Sequence, residues 1–131
     1  MVDDTQLPEV GAWAEDKHAR VRAYVEIAAK AVGKDFIGNG PGKGGFCYID
    51  LFCSAGRARI KDSNREIDGS ALVAAAAARS AGAPFTCLYI ADIEQKHVEA
   101  CAARLRERGE NVRTYVGPAA ETCLKIAADL P

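Results

Sequence analysis

The sequence predicts an α/β fold: an N-terminal helix, then a three-stranded parallel half-sheet with a helix after each strand. Three observations predict it. The runs FCYIDLF (46–52) and FTCLYIAD (85–92) are apolar at both alternating sets of positions, the pattern of strands buried on both faces of a parallel sheet. NVRTYV (111–116) is a third, shorter run of the same type. A segment of helical periodicity follows each strand, and strands alternating with helices imply right-handed crossovers onto one parallel sheet.

The elements follow in order. Over 12–32, Trp13, Val21, Tyr24, Val25, Ala28 and Val32 recur at helical spacing, with Glu15, Asp16, Lys17, Arg20 and Arg22 mostly around the polar side. The glycine-rich stretch GNGPGKGG (38–45) comes next. A phosphate-cradling loop needs G-x-x-x-x-G-K-[ST] between a strand and a helix. Here Ile37 and Gly44 occupy two of the required positions, and the loop precedes its strand, so the stretch reads as a connector. Residues 53–69 read as a polar loop, and SALVAAAAARSAG as a helix over 70–81 stopped by Gly82. After the second strand, Val98, Cys101, Ala102 and Leu105 form the stripe of an amphipathic helix ended by Gly109. The last helix opens after the third strand, with Pro118 at a first-turn position.

A length of 131 residues suits one domain, and 49 % hydrophobic with 27 % charged residues describes an ordinary globular chain. A net charge of -1 gives no whole-chain attraction to nucleic acid or anionic membrane, though a local patch can provide one. No apolar run approaches a bilayer span, and the acidic MVDDTQ start lacks the features of a signal peptide. Cys47, Cys53, Cys87, Cys101 and Cys123 form no C-x-x-C pair, and neither His18 nor His97 has a cysteine at ligand spacing. The expectation is a cytoplasmic chain with reduced, mostly buried thiols and no metal.

The chemistry is expected at the carboxyl ends of the strands, where open α/β sheets bind ligands. In YIDLFCSAGR (48–57) a strand ends in Asp50 and is followed by Cys53, Ser54, Ala55 and Gly56, small residues that let a ligand approach the backbone. The next strand ends in Asp92, placed to accept hydrogen bonds from ribose hydroxyls. With Gln95 it also completes a capping box, and the two roles can coexist.

VGAWAEDKHARVRAY (10–24), YIDLFCSAGR and DGSALVAA (68–75) together resemble the three-Cys-motif partner protein family. That family is similar to Rossmann-like S-adenosylmethionine methyltransferases and shares its layout with the J-type ribosomal RNA adenine-N6 methyltransferases. The resemblance covers roughly residues 10–95 and implies a methyltransferase-like domain with S-adenosylmethionine as cofactor. It implies that Asp50, Phe52, Cys53, Ser54, Ala55 and Gly56 line the methionine side and that Ser70 hydrogen-bonds the cofactor carboxylate. Lys17 and His18 would lie above that carboxylate, and Asp92 would bind ribose. Their ordinary alternatives are a solvated helix face, a packing histidine and helix caps. Ser54 stands where the family's turn has glycine and Ala71 where its helix start has proline. After the third strand only Glu121 is near the place of an adenine-binding acid, and it falls within the helix.

The resemblance also implies a later strand with an Asp-Pro-type motif, which this sequence lacks. A partial, truncated domain is therefore expected, completed by a longer gene product or by two copies paired along the edge of the first strand. No catalytic residue is assigned. The alternative is a non-catalytic module that binds the cofactor or a partner, for which a three-Cys-motif protein is the implied candidate. RARIKDSNR (57–65) offers cations to a nucleic-acid acceptor, but Glu66 and Asp68 follow at once and no aromatic interleaves. The reactivity of Cys53 stays open.

Overall fold

The computed structural model describes residues 7–36 and 45–131. In chain order the elements are β1 (Glu9–Val10), α1 (Trp13–Phe36), β2 (Cys47–Asp50), β3 (Arg57–Ile60), β4 (Glu66–Asp68), α2 (Ser70–Ser80), β5 (Cys87–Asp92), α3 (Gln95–Glu107), β6 (Val112–Val116) and α4 (Ala119–Asp129). The class is α/β. The three strands read from the sequence form one all-parallel sheet in the order β2-β5-β6, with Cys47 opposite Cys87 and Leu88 opposite Val112. The glycine-rich stretch lies outside the described residues except for Gly45.

Each face of this sheet is closed differently. Successive side chains of a strand point to opposite faces. Leu88 and Ile90 on β5 therefore meet α2 and α3 through Leu72, Ala74, Val98 and Leu105, while Cys87, Tyr89 and Ala91 meet Ile126 of α4. Leu72, Leu88 and Leu105 are fully buried, each contributing roughly 2 kcal/mol by removal of its side chain from water. The stripe Val98, Cys101, Ala102 and Leu105 is the buried side of α3, as its spacing predicts. No helix among the described residues is long and apolar enough to cross a membrane.

Four expectations are corrected. First, 53–69 is not a plain loop. β3 and β4 form an antiparallel hairpin, and β1 adds to β3 in parallel, making a second sheet ordered β1-β3-β4. The reason lies in R-A-R-I: Ala58 and Ile60 are buried while Arg57 and Arg59 are not, a strand alternation within a charged segment. The hairpin turns at Asp62 (φ 62°), and Ser63 Oγ accepts the amide of Arg65 at 3.0 Å. Arg108 at the end of α3 donates to both Asp68 oxygens, at 2.9 and 3.0 Å, and so fastens β4 to the main body.

Second, β2 is not buried on both faces. β5 is almost wholly buried, but Ile49 on β2 is 45 % exposed. β2 is an edge strand, and α4 packs over β5 and β6 instead. Third, the helix after Asp92 begins at Gln95 with Glu94 as its cap residue, so Asp92 and Gln95 do not form a capping box. The Gln95 amide instead donates to Glu99 at 2.9 Å. Fourth, Pro118 is the cap residue of α4 and not its first helical residue.

Candidate functional site: a cleft between two helix starts

The site grows from the way β2 ends. Asp50 Oδ1 accepts the amide of Phe52 at 3.0 Å, which turns the chain sharply out of the strand. Its Oδ2 accepts the hydroxyl of Ser70 at 2.9 Å and that of Tyr48 at 3.2 Å. Burial, and then the charge of Asp50, push the Tyr48 phenol well above its usual range, so it remains a donor. One carboxylate thus ties the strand tip to the first residue of α2.

The turn that follows is built on unusual backbone. Ser54 has φ 54°, the left-handed conformation that glycine takes freely and serine takes at a cost of roughly 1 kcal/mol. Its amide donates to Asp92 Oδ2 at 3.0 Å and the Cys53 amide to the Ala91 carbonyl at 2.9 Å, so the turn after β2 is tied to the tip of β5. Gly56 has φ 86°, and a Cβ there would lie 3.1 Å from the Cys101 Cα. Gly69 passes so close to Gly56 that its amide donates to the Gly56 carbonyl at 2.6 Å, and a Cβ on Gly69 would meet that oxygen at 2.9 Å. Two glycines therefore let the turn and the start of α2 touch through their backbones.

Over this crossing lies a cleft of about 120 Å³, walled by the first turns of α1 (Trp13, Lys17, His18), the β2–β3 turn, Arg57 and the start of α2. α2 begins without a side-chain cap and without an acid in its first turn. Its leading N–H groups and positive helix end are suited to an anion. Lys17 and Arg57 add positive charge at the cleft wall. The Arg57 guanidinium ends reach Glu66 and Asp68 only at 3.9 Å, and its buried Nε has no hydrogen-bond partner among the described residues. Burial, and then the charge of Lys17, hold the His18 imidazole below its ordinary range, so it is neutral at neutral pH.

Seven of the residues singled out from the sequence line this cleft: Lys17, His18, Phe52, Cys53, Ser54, Gly56 and Ser70. Asp50, Ala55 and Asp92 do not. Asp50 is occupied as described. Ala55 is buried toward α3, its carbonyl accepting Arg104 at 2.6 Å. Asp92 holds Ser54 with one oxygen and the Glu94 amide, at 3.1 Å, with the other. The single Ser70 hydroxyl proton is donated to Asp50 in this structure. Gly69, not Ser70, is the cap residue. The Cys53 thiol is buried against Cys101. A hydrogen bond with that thiol, then burial, push it far above its usual range, so it is an inert wall and not a nucleophile.

The reading of the residues missed Gly69 and the placement of Arg57 in the wall. The signal for both was available in the alternation of R-A-R-I, which makes 57–60 a strand and brings its return strand, and hence Gly69, back to the turn. Among the described residues no group of three or more His, Cys, Asp or Glu side chains is placed to hold a metal ion. No protein-family model, curated protein or solved structure matches this chain significantly.

Proposed function

We propose that the chain is an S-adenosylmethionine-binding, methyltransferase-like module, its β2-β5-β6 sheet serving as one half of a Rossmann-like fold. The observation that carries this reading is the convergence of seven residues, drawn from three separated stretches, on one cleft. The amino-acid end of the cofactor sits in the cleft with its carboxylate toward the start of α2, between Lys17 and Arg57. Gly56 and Gly69 give it access to backbone, and neutral His18 offers a hydrogen bond. Asp50 and Ser70 act by positioning, since they fix the turn to the helix start. The nucleoside end extends toward Asp92, whose oxygens keep free lone pairs beside the Ser54 amide. When bound, the cofactor supplies an electrophilic methyl group, and the protein contributes proximity and orientation.

A second reading, binding without transfer, is favoured by the size of the cleft. At about 120 Å³ it holds one end of such a ligand, below the roughly 300 Å³ at which pockets enclose a whole small molecule. Calorimetry with S-adenosylmethionine and S-adenosylhomocysteine tests the shared part of both readings. The expected result is saturable binding, weakened roughly tenfold by Arg57→Ala through loss of a charged contact. Absence of heat with both ligands at millimolar concentration would refute it.

A further inference from the structure

We infer that the outer face of α1 is a track for single-stranded nucleic acid leading into the cleft. The observation is a stripe on α1: Trp13, Lys17, Arg20, Tyr24 and Ile27, spaced alternately four and three residues apart. All five are exposed, Trp13 at 65 %, Tyr24 at 76 % and Ile27 at 69 %. Spacings of four and three place them along one side of a helix. The opposite side, through Ala14, Val25 and Ala29, faces the interior. One acid, the exposed Asp16, borders the stripe at three residues from Trp13 and four from Arg20, and the two cations lie between the two aromatics.

Three occupants compete for such a surface. A packing helix would need apolar side chains where Lys17 and Arg20 stand, because the middle of a helix–helix seam excludes water. A membrane surface takes apolar side chains on one face and cations on the other, whereas here cations and aromatics share one stripe. Single-stranded nucleic acid uses such a combination: π-faces for bases beside cations for phosphates, without fixed sequence. Trp13 and Tyr24 are about 16 Å apart along the axis at 1.5 Å per residue, a span of several nucleotides. The track is continuous with the cleft, because Trp13 and Lys17 belong to both and Phe52, 73 % exposed, also lines the cleft. A net charge of -1 does not oppose this, since attraction depends on the local stripe.

That the strand delivers a base to a methyl donor rests on the cofactor reading above. Binding along α1 does not. Trp13 is the only tryptophan and stands where the track meets the cleft, so its fluorescence is read without S-adenosylmethionine present. The test is titration with short oligouridylate and oligothymidylate at low and moderate salt, beside vesicles of phosphatidylcholine and phosphatidylserine. The expected result is saturable quenching by the oligonucleotides that weakens with salt. Tyr24→Ala should weaken it roughly tenfold through loss of a stacked base. Arg20→Ala should lower the salt slope by about 0.7, the value for one phosphate contact on a single strand. Neither variant should change calorimetric binding of S-adenosylmethionine, because neither residue lines the cleft. No quenching by either oligonucleotide, quenching indifferent to both substitutions, or a response to vesicles alone would each overturn the inference. Loss of cofactor binding with quenching intact would overturn the cofactor reading and leave the track standing.

Discussion

α1 and α2 pack against each other, yet they are composed in opposite ways. α2 is mostly small, and Ala71, Ala74 and Ala78 are wholly buried between α1, the sheet and α3. α1 carries large side chains, and three of its largest, Trp13, Tyr24 and Ile27, face outward. Small residues where everything is covered and large ones where nothing is covered is the reverse of what stability alone selects. The contrast teaches that α2 is committed to the interior, whereas the outer side of α1 leaves large side chains exposed.

The widest separation between the two helices comes from truncation. Leu72→Ala should cost about 3 kcal/mol, since the side chain is fully buried and leaves a cavity in a packed layer. Ile27→Ala on α1 should change stability by less than about 0.5 kcal/mol. Urea denaturation of both variants checks this, and equal losses would erase the distinction.

A smaller loss, about 2 kcal/mol, is expected for Gly56→Ala, where an unfavourable φ combines with crowding against Cys101. That variant should also lose ligand binding, because the turn cannot keep its approach to Gly69. The opposite sign is expected next door. Ser54→Gly relieves a left-handed serine and should gain up to about 1 kcal/mol in thermal or urea unfolding, partly offset by a more flexible unfolded chain.

The smallest effect is one of pH. The folded state holds the pKa of His18 below its ordinary value of 6.5, so below that pH the unfolded chain binds more protons than the folded one. The contribution is fully present above pH 6.5 and is lost as pH falls through the folded value. The melting temperature should therefore decline on acidification from pH 7 toward 5.5, and His18→Gln should flatten that decline. An unchanged slope in the variant would show that His18 is not its source.

How much of this was legible in the sequence depends on the kind of signal. The parallel strands and their helices were readable because FCYIDLF and FTCLYIAD combine apolar runs with flanking helical periodicity. The hairpin was not, because its strands carry Arg57, Arg59 and Glu66, and charge composition masked an alternation only four residues long. The burial of β2 was overestimated, since an apolar run does not reveal whether a helix will cover it. Within the site, glycines and small residues marked the turn correctly. The commitments of Asp50 to Ser70 and of Asp92 to the Ser54 and Glu94 amides were hidden, because which partner satisfies a polar group is a tertiary fact.

The thiols offer a practical handle. Cys53, Cys87 and Cys101 are buried, Cys47 is half-buried with its thiol pushed upward by burial, and Cys123 on α4 is exposed. A maleimide dye should therefore attach at Cys123 first, without mutagenesis. Because α4 lies across the sheet from α2 and α3, such a label would sit remote from the cleft. Energy transfer from Trp13 to that dye would then give a built-in ruler for any movement of α1 against the rest of the molecule.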